Sequence, residues 1–250
     1  MREQIDTIPI NDAFDSGDEC PFCYLERKAE QSTIRYIAGN AASYMEPDAR
    51  AQTDKYGFCP VHMQKLYDYG NALGNALILQ SHYAGLLKSF RAEMEDFVIP
   101  PKRSLFANKP LSGEPYWARL EKQAGECLIC QRIDYHMDRY YSAFFSMLKD
   151  PEFRAKVANS KGFCLRHFGE LLAAAEERLS NAQYEWFYST VFPLMEQHLV
   201  RVKEDLDWLI AKYDYRNASL PWKNSQDALK RAMQKVEGLY PADPAYKMEK

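Results

Sequence analysis

One motif occurs twice in this chain and constrains everything else: a Cys-x-x-Cys pair, a spacer, then Gly-Phe-Cys-x-x-His. The first copy is Cys20 and Cys23 followed by Gly57-Phe58-Cys59-Pro60-Val61-His62, and the second is Cys127 and Cys130 followed by Gly162-Phe163-Cys164-Leu165-Arg166-His167. Together they use all 6 cysteines and two of the 5 histidines. A glutamate precedes each pair, Glu19 and Glu126, and the two spacers differ in length by two residues. Three thiols and one imidazole in a repeated order are the ligand chemistry of tetrahedral Zn2+. The expected metal ligands are therefore Cys20, Cys23, Cys59 and His62 in one set, and Cys127, Cys130, Cys164 and His167 in the other. The matched spacers favour pairing within each copy, and pairing across the copies is the alternative.

Each half-site falls where a helix should begin. Exposed N–H groups and the partial positive charge of a helix start favour thiolates. The glycine before each Phe-Cys-x-x-His allows a tight or left-handed backbone. With three thiolates around a divalent ion the centre is anionic, and Arg166 lies inside the second motif. All four positions are filled by protein, which is the pattern of a structural rather than a catalytic zinc site. An iron–sulfur cluster is the alternative cofactor. Cys20-Pro21-Phe22-Cys23 also has the form of a glutaredoxin-like dithiol, but no βαβ pattern surrounds it and Cys127-Leu128-Ile129-Cys130 lacks the proline.

Helical periodicity dominates the remainder, and no segment alternates as a strand does. Residues 1–19 read as an irregular lead-in. A helix follows Cys23 to about Ala38, before Gly39-Asn40. A long helix carries Leu73, Leu77, Tyr83, Leu87, Phe90, Met94 and Phe97 on one face and ends at Pro100-Pro101. Residues 100–115 form the linker candidate. Trp117 and Leu120 mark a short helix. Ile133, Met137, Tyr140, Phe144 and Leu148 mark a helix ending near Asp150-Pro151. Phe168, Leu171, Leu172, Ala175 and Leu179 mark the next. A long helix from Tyr184 to Tyr213 should kink at Pro193. The last helix, from Ser225 to Gly238, turns Leu229, Ala232, Met233 and Val236 inward.

The expected fold is all-α, with two related helical halves, each clasped by its own Cys3His site, and a C-terminal helix. The expected blocks are 1–112, 113–216 and 217–250, packed as one unit. A net charge of −3 and a pI near 6.0 argue against a non-specific nucleic-acid binder. No apolar run is long enough for a membrane span. The acidic, proline-containing start is unlike a secretory signal, so a cytoplasmic protein with reduced cysteines is expected.

Glu46, Asp48 and Arg50 form a compact polar group before the first Gly-Phe-Cys turn. They offer a ligand-binding site in which Arg50 takes a carboxylate or phosphate, or simply a turn and helix start. His82, His136 and His198 have no counterparts in the repeat and read as packing or surface histidines.

The strings Glu19-Cys20-Pro21-x-Cys23, Met45-Glu46-Pro47-Asp48-x-Arg50 and Gly57-Phe58-Cys59-x-x-His62-x-x-x-Leu66-Tyr67 resemble an uncharacterised bacterial family, a domain of unknown function. Leu73-Gly74-x-Ala76-Leu77 and the second quartet extend the resemblance over nearly the whole chain. It implies a cytoplasmic helical protein and brings no activity with it. Pro60-Val61 stand where that family is expected to carry basic residues.

The functional expectation is a cytoplasmic zinc-binding helical protein with structural sites that binds an unknown protein or small-molecule partner. The alternatives are a thiol-based redox or metal sensor, and an enzyme with a pocket near Glu46, Asp48 and Arg50.

Overall fold

A computed structural model describes residues 6–39, 45–95, 97 and 115–238. Among them every regular element is helical: α1 (Thr7–Asp15), α2 (Pro21–Ala38), α3 (Pro47–Tyr56), α4 (Pro60–Tyr69), α5 (Ala72–Glu95), α6 (Tyr116–Gly125), α7 (Leu128–Met147), α8 (Pro151–Ala158), α9 (Leu165–Arg178), α10 (Asn181–Ala211) and α11 (Ala228–Glu237), with a 3-10 turn at Tyr215–Asn217. The succession short, long, short, short, long runs from α1 to α5 and again from α6 to α10. The expected linker at 100–115 lies outside the described residues except for Pro115.

Local chemistry explains the boundaries. Pro47, Pro60 and Pro151 each open a helix, where the missing N–H costs nothing. Ser180 and Gln183 form a capping box at the start of α10. Gly70, at φ 96°, ends α4 in the left-handed conformation. Pro193 lies inside α10, which continues through it from Asn181 to Ala211. The irregular lead-in expected at residues 1–19 is instead helical from Thr7 to Asp15, with Ile10 and Ala13 buried. Ile10, Ala13 and Phe14 have helical spacing, but one turn of apolar residues is too short a signal to distinguish a helix from a loop in sequence.

The chain divides into two compact units. The described part of one is 6–29 with 133–238, and of the other 30–39, 45–95, 97 and 115–132. The sequence blocks 1–112 and 113–216 each contribute to both units. The boundaries fall inside α2 and α7.

In the first unit, Phe22, Phe144, Phe163 and Phe187 are fully buried. Phe22 meets Phe144 edge-on at 5.5 Å between ring centroids, and Phe14 meets Phe153 at 5.3 Å. These contacts join α1, α2, α7 and α8 around one aromatic core, with the favoured T-shaped geometry. α11 packs on α9 and α10, but not with the expected face. Leu229, Met233 and Val236 are about half-exposed, while Ala228, Arg231, Gln234 and Lys235 are buried. The surface under α11 is polar: Asp205 takes Arg231 and Asp18 takes Gln234, while Asp227, the N-cap of α11 itself, adds a second carboxylate to Arg231. An amphipathic helix ordinarily puts its apolar side down; here the hydrogen-bonding demand beneath it reverses the choice.

The second unit is built around α3 and α5. α3 packs on α5: Arg50 donates to the Leu77 carbonyl at 3.1 Å, and the Ser81 hydroxyl donates to Asp54 at 2.6 Å. Gly74 and Ile78 are the buried residues of α5. The face expected to be core is open, with Leu73, Tyr83, Leu87, Phe90, Met94 and Phe97 all about half-exposed or more. The helical period is present, but among the described residues of this unit the short α6, which has no buried residue, lies against the later turns, through Phe90 with Tyr116 and Glu93 with Arg119.

Because Phe144 is fully buried at the centre of the aromatic cluster, Phe144→Ala is expected to lower stability by about 3–5 kcal/mol. Denaturant unfolding with the metal content held fixed measures this; a loss below about 1 kcal/mol would show that the cluster does not carry the core.

Candidate metal centres

The eight ligand-type residues form two clusters, each with its ligand atoms within 4.8 Å of one another: Cys20, Cys23, Cys164 and His167 in the first unit, and Cys59, His62, Cys127 and Cys130 in the second. Pairing therefore runs across the copies, and the expected within-copy pairing is overturned. Each centre takes the Cys-x-x-Cys of one copy and the Cys-x-x-His of the other. Equal spacers do not separate the two arrangements, because the half-sites are chemically interchangeable. The helices make the choice. Each Cys-x-x-Cys sits at the first turn of α2 or α7, so the chain leaves it along a rigid rod of about 27–30 Å at about 1.5 Å per residue. The Gly-Phe-Cys turn comes only after the far end of that rod.

In each Cys-x-x-His the cysteine is the N-cap of the next helix, Cys59 for α4 and Cys164 for α9. The histidine follows in the first turn, with Nδ1 directed at the sulfurs. The preceding glycines have φ of 58° at Gly57 and 72° at Gly162. A β-carbon at Gly57 would lie 3.1 Å from the His82 ring, and one at Gly162 3.1 Å from Met195 Sδ. Both turns therefore favour glycine for conformation, and a β-carbon would also press on the neighbouring side chain. His82 is thus a packing residue, its Nδ1 2.9 Å from the Asp54 carbonyl.

In the first centre, His167 Nδ1 is 3.5, 3.4 and 3.2 Å from the sulfurs of Cys20, Cys23 and Cys164, and Cys23 and Cys164 are 3.6 Å apart. In the second, His62 Nδ1 is 3.3 Å from each of Cys59, Cys127 and Cys130, and Cys59 and Cys130 are 3.9 Å apart. A tetrahedron with metal–sulfur bonds of about 2.3 Å and a metal–nitrogen bond of about 2.0 Å has sulfur–nitrogen edges of about 3.5 Å and sulfur–sulfur edges of about 3.8 Å. The donor sets fit one ion each.

The surroundings of the two histidines differ. His62 Nε2 is 2.9 Å from Glu30 Oε1, which also receives Lys65 Nζ at 2.6 Å. This is the carboxylate–histidine relay that fixes a ligand's tautomer. His167 is fully buried, and its Nε2 has no hydrogen-bond partner among the described residues; the Glu26 carboxylate is 3.6 Å away and engaged by Arg166. Without metal at the second centre, burial would lower the pKa of His62, but its bonds to Cys127 and Glu30 raise it to about 10. Burial would raise Cys127, yet the bond to His62 brings it down to about 6. The metal-free form of this centre holds an imidazolium–thiolate pair at neutral pH, so an incoming metal must displace the histidine proton.

Glu46, Asp48 and Arg50 are not joined by any ion pair among the described residues. Glu46 is the N-cap of α3, Asp48 stands in its acidic first turn, and both are exposed. Arg50 turns instead to the Leu77 carbonyl. Two further residues support the centres without belonging to any motif: Glu30 at the second and Lys235 at the first. Each lies on a helix with nothing local to distinguish it, and only the folded neighbourhood reveals its role.

A family model for a family of unknown function, DUF6062, matches residues 1–243. The chain belongs to that family. It is also similar to a protein of Caldicellulosiruptor sp. (strain Rt8B.4) described as an uncharacterized 23.9 kDa protein in the xynA 3′ region, with 24% identity over 204 residues, 80% of this chain and 85% of that protein. No solved structure matches the chain. Within DUF6062, then, the chemistry of the site has to be argued from the quartets themselves.

Glu30→Gln is expected to weaken metal binding at the second centre by about 10–100-fold and to leave the first unchanged. Glu26→Gln should cost far less, since that carboxylate is 3.6 Å from its histidine. Competitive titration with a chelator of known affinity measures both, and equal losses would show that Glu30 gives no special support. Apparent affinity at the second centre should also rise with pH through about 10, as the protons on His62 and on the Cys130 thiol, which burial pushes up, cease to compete.

Proposed function

We propose that the two quartets are structural zinc sites, and that the protein is a metal-stabilised helical scaffold that binds a partner through an apolar groove. The observation that carries the first part is the repeated donor set of three sulfurs and one nitrogen at single-ion spacing. Soft thiolates with one imidazole suit Zn2+ over harder cations. A multi-iron cluster spreads its ligands over several metals and sets them farther apart than the edges seen here. When bound, zinc supplies a closed cross-link, and this chain's residues do the rest: Cys20 and Cys23 are joined to Cys164 and His167, and Cys59 and His62 to Cys127 and Cys130. The six cysteines are unbridged, which accords with a reducing compartment such as the cytoplasm. No helix among the described residues is long and apolar enough to cross a membrane.

The second part rests on α5 and α6. Tyr83, Leu87, Phe90, Tyr116 and Leu120 line an open groove of about 420 Å³. Its charged members, Glu93 and Arg119, neutralise each other. An apolar channel of this size suits a helix face or a small apolar ligand. Its described lining includes no histidine, cysteine or pair of carboxylates that could carry acid–base, nucleophilic or metal chemistry. The enzyme reading around Glu46, Asp48 and Arg50 draws no comparable support, because the two carboxylates are exposed and Arg50 is spent on a backbone carbonyl.

Protein purified without oxygen is expected to contain two zinc ions per chain. Stripping them should unfold the helices cooperatively, because a structural zinc contributes on the order of 10 kcal/mol per site at neutral pH. Elemental analysis with circular dichroism before and after chelation tests this; a metal-free chain of undiminished thermal stability would refute the structural role.

A further inference from the structure

The two centres share a donor set but not an environment. In the first, all four ligands are buried, with Cys20, Cys23, Cys164 and His167 each at 0% exposure. In the second, Cys59 and Cys130 are only partly buried. The difference traces to α11. The carbonyl of Gly238, at the end of that helix, lies 3.0 Å from Cys23 Sγ. A β-carbon on Gly238 would stand 3.2 Å from Cys164 Sγ and 3.1 Å from Arg166 Nε, so the backbone itself is the lid.

Lys235, one turn earlier, is 1% exposed. Its ammonium donates to the carbonyls of Glu19 at 2.6 Å and Phe163 at 3.4 Å, and also to that of Lys161. Glu19 immediately precedes Cys20, and Phe163 immediately precedes Cys164. One buried cation therefore ties together the two backbone turns that present the ligands. It also places a positive charge beside a centre whose three thiolates exceed the charge of a divalent ion. Burying a lysine is costly unless it is fully hydrogen-bonded and charge-compensated. The carboxylate of Glu19, 3.6 Å away, and the anionic centre provide that compensation. The second centre is arranged differently: the ammonium of Lys65 is bound to Glu30, on the far side of His62 from the sulfurs.

Resting on the zinc reading above, we infer that the centres are unequal by design of the fold. The Cys20–Cys23–Cys164–His167 centre is locked by α11, with Lys235 as its positioning residue. The Cys59–His62–Cys127–Cys130 centre is the exchangeable one, open through Cys59 and Cys130 to soft divalent metal ions and thiol-directed reagents. Metal leaves the first only when α11 comes away, a local opening that the second does not require.

The test is metal release from the full chain loaded with two equivalents of Zn2+, using an excess of a chromogenic chelator. One equivalent should leave faster than the other by on the order of tenfold or more. Cys59→Ser should abolish the fast equivalent and keep the slow one. Lys235→Met, which keeps the length of the stem and removes the charge, should speed the slow equivalent toward the fast. In parallel, limited alkylation of the wild-type zinc-loaded protein, mapped by mass spectrometry, should modify Cys59 and Cys130 before Cys20, Cys23 and Cys164. A single release phase for both ions, a slow phase unchanged in a folded Lys235→Met variant, or alkylation at Cys20 as early as at Cys59 would overturn the inference. If Lys235→Met does not fold, the alkylation order in the wild type decides. A chain that takes up no zinc at all would instead sink the zinc reading itself.

Discussion

The constraint on which this structure depends is that each quartet is closed by residues far apart in the chain. Cys20 meets His167 and Cys59 meets Cys127. Bringing such segments together carries a loop-closure cost that grows slowly with length. Four ligands on one ion would offset that cost in a single step, because binding free energy at a site absent from the unfolded chain is folding free energy. The short helices α3, α4, α8 and α9 would be marginal alone. Held at the Gly-Phe-Cys turns, they become fixed walls for the longer ones.

The two units meet this requirement with different means. The first has an aromatic core of Phe14, Phe22, Phe144, Phe153 and Phe163 beside its quartet, and a further helix over it. The second buries Ile34, Ile37, Leu66, Ile78 and Ile129, with no buried phenylalanine among its described residues, and its longest helix exposes most of its apolar side chains. A unit with the smaller core would lean harder on a bound metal for stability. Yet that is the unit whose ligands are the more accessible. Stability and exposure are thus set against each other in the second unit, and in the first they are aligned.

Legibility from sequence follows the range of the interaction. The ligand residues, the helix starts at proline and capping residues, and the glycines favoured by φ of 58° and 72° all depend on a few neighbouring positions, so motif and spacing expose them. The partner of each half-site does not. Two equivalent half-sites satisfy the same ligand count in either pairing, and only the helices running away from Cys23 and Cys130 select between them. The inward face of α11 is a related case. Leu229, Met233 and Val236 have the period of a core stripe, but what the helix covers is a set of carbonyls and carboxylates, which require Arg231, Gln234 and Lys235. Amphipathic period tells that a helix has two faces; the chemistry of the surface beneath decides which one goes down.

The exchanged pairing also orders the units by how each can assemble. Among the described residues, the second draws only on positions between 30 and 132, whereas the first must unite 6–29 with 133–238. Contacts between near neighbours in sequence form with less entropic cost and sooner than those between distant ones. The second unit can therefore collect its four ligands while the first still lacks the segments that complete its own. Lys235 is among the last residues of the described chain, and its three carbonyl acceptors come from both parts of the first unit. A lysine in that role has no acceptors to bury itself against until both Gly-Phe-Cys and Cys-x-x-Cys turns are in place. Seating α11 is thus the step that requires a finished centre, and a helix with a polar inner face can dock on nothing less specific.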